Sequence, residues 1–255
     1  MSPPPLALVT GGTRRLGAAI AARLAAEGFA LALHHRDHGA PDAALAAALE
    51  AHATDWAGFP ADLADEAQLE ALLPAIEARF GRAPSVLVNS ASLWSEDDLA
   101  TADMASYLLH FRVNAAAPTL LATRVAARAS AAAPAVVVNI LDQRIAHPHG
   151  DQLSYTMSKL ALAEATRLLA RTLAPHTRVM GVAPGLTLPT EDYAPGQMAR
   201  LAAAMPLGRL PAPEDVADAV AWAVRARAST GQVLFVDGGA SLVSYDRDFV
   251  RLERD

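Results

Sequence analysis

The chain has 255 residues, 53% of them apolar and 19% charged, which is enough apolar side chain to bury a sizeable core and too much for a disordered coil. A formal net charge of -6 and a pI near 5.7 argue against nucleic acid or an anionic membrane as a partner, and the absence of cysteine removes disulfides, thiolate metal sites and a cysteine nucleophile. With no apolar run of membrane-spanning length and no leader pattern in Met1–Leu6, the expectation is a cytoplasmic single domain over 1–255.

Along the chain, strand and helix patterns alternate. Leu6–Thr10 is a short apolar run closed by Gly11-Gly12, the pattern of a strand buried on both faces that enters a tight turn. A helix is expected over Ala18–Glu27, a second strand at Leu31–Leu33 and a helix over Ala43–His52. A strand about Phe59 leads to Asp62, an amphipathic helix covers Leu69–Phe80, and Ser85–Val88 is a strand that ends at Asn89-Ser90-Ala91-Ser92. Two helices, Ala105–Val113 and Thr119–Arg128, precede the β-branched run Val136–Val138, which ends at Asn139-Ile-Leu-Asp142. Ser154–Leu173 is a long helix, Arg178–Val182 a strand, Pro213–Arg225 a helix and Gln232–Val236 the last strand. Seven strands separated by helices imply a doubly wound α/β fold: a parallel sheet, helices on both faces, and a ligand crevice at the strand C-termini.

The turn Thr10-Gly-Gly-Thr-Arg-Arg-Leu-Gly17 joins the first strand to the first helix, where glycines permit close approach to a pyrophosphate and the helix N-terminus faces its charge. NAD selection needs a carboxylate at the end of the second strand, whereas a 2'-phosphate needs cations. Here that strand ends His34-His35-Arg36, so Arg14 and Arg36 are expected to flank the phosphate of NADPH, with Asp37 beside them as the one feature that suits NAD.

Tyr155 and Lys159 stand four apart, so on a helix they share a face and can meet one ligand. A nearby ammonium favours the phenolate of such a tyrosine. Together with the glycine turn, Asp62-Leu63, Asn89, Asn114, Pro184-Gly185 and the segment Thr230–Gly239, these residues resemble the short-chain dehydrogenase/reductase family over nearly the whole chain. One departure is Arg15, which occupies the middle glycine of the family's turn, where its guanidinium can pair with phosphate oxygens. The resemblance implies a Rossmann-like fold with NADPH as cofactor, held by Gly11, Thr13, Arg14, Arg15, Leu16, Gly17, His35, Arg36, Asp62, Leu63, Asn89, Ser90, Ala91, Tyr155, Lys159, Pro184, Gly185 and Thr187. It further implies that Tyr155 transfers the proton, that Lys159 holds the nicotinamide ribose and tunes the tyrosine, and that Asn114 supports a water relay.

Thirteen positions before Tyr155, where most of the family has serine, stands Asp142. An ionised carboxylate only accepts hydrogen bonds, so it would repel a ketone oxygen and also raise the pKa of Tyr155. Either Asp142 is protonated or the substrate presents N–H groups to it. The second option suits a pterin ring, and the chain resembles pteridine reductases and dihydromonapterin reductases at Arg15, at His35-Arg36, at Asn89-Ser-Ala-Ser-Leu-Trp94 and at Asp142 with Tyr155 and Lys159. That resemblance implies substrate contacts from Arg15, Ser92, Trp94, Asp142 and Tyr155, with Trp94 stacking on the ring. The alternatives are a carbonyl reductase in which a protonated Asp142 donates, and an inactive NADPH-sensing regulator.

His147-Pro-His149 has no carboxylate cluster beside it and is expected to be loop rather than a metal site. Leu188–Ala204 is likewise expected to be a loop on the substrate side. The family resemblance implies a homo-oligomer, dimer or tetramer, and the polar segment Tyr245–Asp255 is expected either to cover a neighbour's pocket or to fray.

Overall fold

The structure is a computed structural model that describes residues 3–190 and 192–253; Arg254 and Asp255 of the polar C-terminal segment lie outside the described residues. Seven parallel strands form one sheet: β1 (Leu6–Thr10), β2 (Ala30–His35), β3 (Trp56–Pro60), β4 (Val86–Asn89), β5 (Ala135–Ile140), β6 (Thr177–Pro184) and β7 (Val233–Val236). Their order is β3-β2-β1-β4-β5-β6-β7, so the winding reverses between β1 and β4 and opens a crevice at that edge.

Every residue of β1 is buried, as a strand covered on both faces requires. Ala7 and Val9 face one helical layer, α1 (Arg15–Ala26), α2 (Ala43–Ala51) and α8 (Pro213–Arg225); Leu6 and Leu8 face the other, α3 (Glu66–Phe80), α5 (Ala117–Ala126) and α6 (Leu153–Thr172). Asp42 and Asp65 cap α2 and α3 through their carboxylates.

Two departures from the expected elements matter for function. The two helices expected between 105 and 128 are one continuous rod: α4 (Met104–Phe111) runs through a π-helical turn at Arg112–Ala116 into α5. Leu188–Ala204 is not all loop, because α7 (Gln197–Ala204) forms within it and packs Leu201 against Met205, Ala240 and Phe249. Among the described residues, no helix is long and apolar enough to cross a membrane.

Candidate active site

A cleft of about 800 Å³ lies along the C-terminal edge of the sheet at the reversal. Its walls include Gly11, Thr13, Arg14, Arg15, Leu16, Gly17, His35, Arg36, Asp62, Leu63, Ser90, Ala91, Ser92, Trp94, Asp142, Tyr155, Lys159, Pro184 and Thr187 from the residues singled out in the sequence. Asn89, Asn114 and Gly185 are not among its walls.

The dinucleotide end is built on β1 and its turn. Gly11 has φ +62°, and a Cβ there would lie 3.1 Å from the Ala91 Cα, so the backbones of the first and fourth crossovers meet only because the residue is glycine. Thr10 fixes the same junction, since its Oγ1 accepts the amides of Ser90 and Ala91, each at 3.0 Å. Arg15 itself adopts φ +55°, a left-handed backbone that favours glycine, and adds a side chain to the cleft wall. No side chain caps the first turn of α1, and the side chains of Arg14 and Arg15 make no hydrogen bond or ion pair with any described residue. Open helix amides and two uncommitted guanidinium groups fit the pyrophosphate and 2'-phosphate of NADP. Arg36 is already engaged, donating from Nε to Asp37 at 2.8 Å on the surface.

His34, which the sequence reading passed over, locks this end together. Its Nδ1 accepts the Gly11 amide at 3.1 Å, so Nε2 carries the hydrogen and donates to the Ala61 carbonyl at 2.9 Å. Burial lowers its pKa to about 4 and keeps it neutral. The available signal was its place at the end of β2, a strand whose preceding residues Ala30–Leu33 are all buried.

The catalytic end is built on β5 and α6. The Tyr155 hydroxyl donates to Asp142 Oδ2 at 2.9 Å, so the fold brings together two residues thirteen apart. Burial and the adjacent Asp142 carboxylate together hold the phenol well above its ordinary range, while Arg144 opposes them. Lys159 stands one helical turn away on α6. The ammonium is 5.6 Å from the ring centroid and donates to the Ile140 carbonyl at 2.9 Å, and its own pKa is lowered by burial to about 8.

Arg144 is the second residue that sequence reading missed. It lies on a 3-10 turn (Gln143–Ile145) capped by Asp142, whose Oδ1 accepts the Arg144 amide at 2.9 Å and its Nε at 3.3 Å. Its guanidinium carbon is 4.9 Å from the Tyr155 ring centroid. Asp142 Oδ1 thus takes the Arg144 donors, while Oδ2 meets the Tyr155 hydroxyl.

Asn114 sits in the π-helical turn and is fully buried. Its Oδ1 accepts the Leu93 amide at 2.7 Å, and its Nδ2 donates to the Leu93 carbonyl at 2.8 Å and to Ser158 Oγ at 3.0 Å. It therefore splints the Ser92–Trp94 segment to α6 between Tyr155 and Lys159. Asn89 is equally buried, donating to Asn139 Oδ1 at 2.8 Å, and acts in the sheet edge rather than the cleft. Gly185 allows close packing, since a Cβ there would lie 2.8 Å from the Asp237 Cα. Trp94 lines the cleft and is 41% exposed.

A family model described as enoyl-(acyl carrier protein) reductase matches residues 11–241. The chain belongs to the short-chain dehydrogenase/reductase family. It is similar to a putative granaticin polyketide ketoacyl reductase of Streptomyces violaceoruber, 34% identical over 94% of this chain and 97% of that one. It is similar to pteridine reductase 1 of Leishmania tarentolae, 34% identical over 93% and 96%. Among solved structures it resembles the FolM alternative dihydrofolate reductase 1 of Brucella canis complexed with NADP, with 35% identity, coverage of 97% and 98%, and a TM-score of 0.85. The Brucella suis protein, also with NADP, gives 35% identity and a TM-score of 0.84. As a member of the short-chain dehydrogenase/reductase family, the chain is an oxidoreductase.

Proposed function

We propose that the protein uses NADPH to reduce a C=N bond in a pterin-type ring. The observation that carries this reading is the Tyr155–Asp142 hydrogen bond of 2.9 Å, with Asp142 also bonded by Arg144 and lining a cleft walled by Trp94. An acceptor carboxylate at this position suits a ring edged with N–H groups and repels a carbonyl oxygen. The FolM and pteridine reductase relatives support it.

Gly11, Thr13, Arg14, Arg15, the α1 amides, Arg36 and Lys159 would hold NADPH, which supplies the hydride when bound. Asp142 orients the ring by accepting its N–H groups, and Trp94 covers one face. Once Asp142 is engaged by the ring, the Tyr155 hydroxyl turns from Oδ2 to the reacting nitrogen and gives up its proton. The phenolate left behind lies near two cations, Lys159 and Arg144, which offset its cost. Exposed apolar residues on α4, α5 and α6, Leu108, Phe111, Leu120 and Leu168 among them, support assembly into a homo-oligomer.

The test is NADPH oxidation with dihydrobiopterin, dihydrofolate and a panel of ketones that includes a β-ketoacyl thioester. Turnover of the dihydropterins above the ketones is the expected result. Ketone turnover alone would replace this reading with a carbonyl reductase, and NADPH binding without any turnover would replace it with a cofactor-sensing regulator.

A further inference from the structure

Arg144 is a buried cation with a small part in that chemistry, yet each of its three side-chain nitrogens donates to a partner. Besides Asp142 it donates from Nη1 to Gln152 Oε1 at 3.1 Å and to Thr156 Oγ1 at 3.2 Å, and from Nη2 to Asp248 Oδ2 at 2.6 Å. Asp248 belongs to a strap that folds over this end of the cleft. Its amide donates to Asp151 Oδ2 at 2.9 Å, its Oδ1 accepts the Val250 amide at 2.9 Å, and neighbouring Arg247 grips Asp151 with bonds of 2.8 to 3.1 Å. From α7, Gln197 Nε2 donates to the carbonyls of Phe249 and Val250 at 3.1 and 3.2 Å.

We propose that Arg144 is a positioning residue for proton transfer and that Asp248, carried by this strap, holds it in place. Arg144 occupies Oδ1 of Asp142, which leaves Oδ2 to meet the Tyr155 hydroxyl. Its charge sits against the phenol ring and opposes the two carboxylates, Asp142 and Asp248, that disfavour loss of the phenolic proton. The other ionisable groups that face this cluster are Lys159 on α6, Tyr193 after β6, and His149 and Asp151 ahead of α6. Of the cations, only Arg144 bonds Asp142 among the described residues. The strap is thus a working part of the catalytic centre, and the catalytic geometry depends on a residue 106 positions from Asp142 in sequence, from 142 to 248. This inference rests on the reading of Tyr155 as proton donor.

The experiment uses Arg144→Gln, Arg144→Lys and Asp248→Asn in the full chain, assayed on whichever substrate the unaltered protein reduces, pterin or ketone, so that failure of the pterin reading leaves it readable. The NADPH dissociation constant, from nicotinamide fluorescence, is expected to stay within about twofold because the adenosine end is untouched. For Arg144→Gln, kcat is expected to fall about 10- to 100-fold with KM little changed, as for a misplaced catalytic group. The alkaline limb of its kcat profile moves to higher pH, because a charge that lowers the phenol's pKa is gone. Arg144→Lys recovers part of the loss, and Asp248→Asn falls in the same direction by a smaller factor. Unchanged kcat and pH profile in folded, NADPH-binding Arg144→Gln would overturn the proposal. If that variant does not fold, or if no substrate is reduced, a crystal structure of Asp248→Asn decides: an Arg144–Asp142 contact and a Tyr155–Asp142 bond as in the unaltered protein would equally overturn it.

Discussion

His34 accepts the Gly11 amide at 3.1 Å, so a side chain of β2 carries part of the turn that follows β1. The same ring donates to Ala61 after β3, and one neutral imidazole thereby ties three strand ends around the dinucleotide cleft. A charged imidazole could not accept from Gly11.

Stability should therefore depend on pH through this residue. Its folded pKa of about 4 lies below the ordinary 6.5, so the contribution is complete above 6.5 and is lost as pH falls towards 4. The span of about 2.5 pH units corresponds to roughly 3 kcal/mol. Denaturation midpoints measured from pH 7 to pH 4 should fall more steeply in the unaltered protein than in His34→Gln, and parallel curves would refute this. At pH 7 the variant should also bind NADPH less tightly.

Arg36 is drawn to Asp37, which competes with any anionic ligand for its guanidinium. Asp37→Asn should release it and tighten NADPH several-fold, whereas Arg36→Ala should weaken NADPH by about 1 to 3 kcal/mol and leave NADH little affected. Dissociation constants for both nucleotides at two salt concentrations check this. Equal effects on NADH would show that Arg36 is not a phosphate ligand.

Asp142→Ser restores a hydroxyl donor where this chain has an acceptor. Dihydropterin turnover should fall about 100-fold or more, as expected for the loss of a group that orients the reacting ring, while NADPH affinity stays near that of the unaltered protein. Some ketone turnover should appear. Steady-state kinetics on both substrate classes decide the matter, and undiminished dihydropterin turnover would count against the assigned role.

Burial of the Lys159 ammonium costs stability. Burial lowers its pKa from 10.5 to about 8, so the folded protein is penalised below pH 8 and recovers as pH rises towards 10.5. Lys159→Met should abolish turnover yet stabilise the protein at pH 7 by about 1 to 3 kcal/mol, once the lost bond to the Ile140 carbonyl is counted. A lower melting temperature for the variant would show that the ammonium is better compensated than its burial implies.

The sheet was legible because burial on both faces leaves unbroken runs such as Leu6–Val9 and Val136–Val138, and the pairing of Tyr155 with Lys159 in one cleft because they lie one helical turn apart. Asp142 stood out as a departure from a pattern. What escaped depends on partners distant in sequence. Arg144 reads as an ordinary charge two residues after Asp142, and only the fold brings Gln152, Thr156 and Asp248 to it. Gln197–Ala204 begins at Gly196 without a side-chain cap and is stabilised by Phe249 and Ala240 across the strap, so local pattern left it as loop. The π-helical turn leaves no mark in composition either, and the expected gap before Thr119 is in fact helix.

That turn changes the phase of the rod it interrupts. A wider coil at Arg112–Ala116 amounts to one residue inserted into a regular helix, which offsets everything beyond it by about 100°. α4 can therefore bury His110 along one direction while α5 seats Leu121 and Val125 in the core along another, and Asn114 occupies the joint between the two phases. Removing a single residue there would straighten the rod and unseat one half or the other.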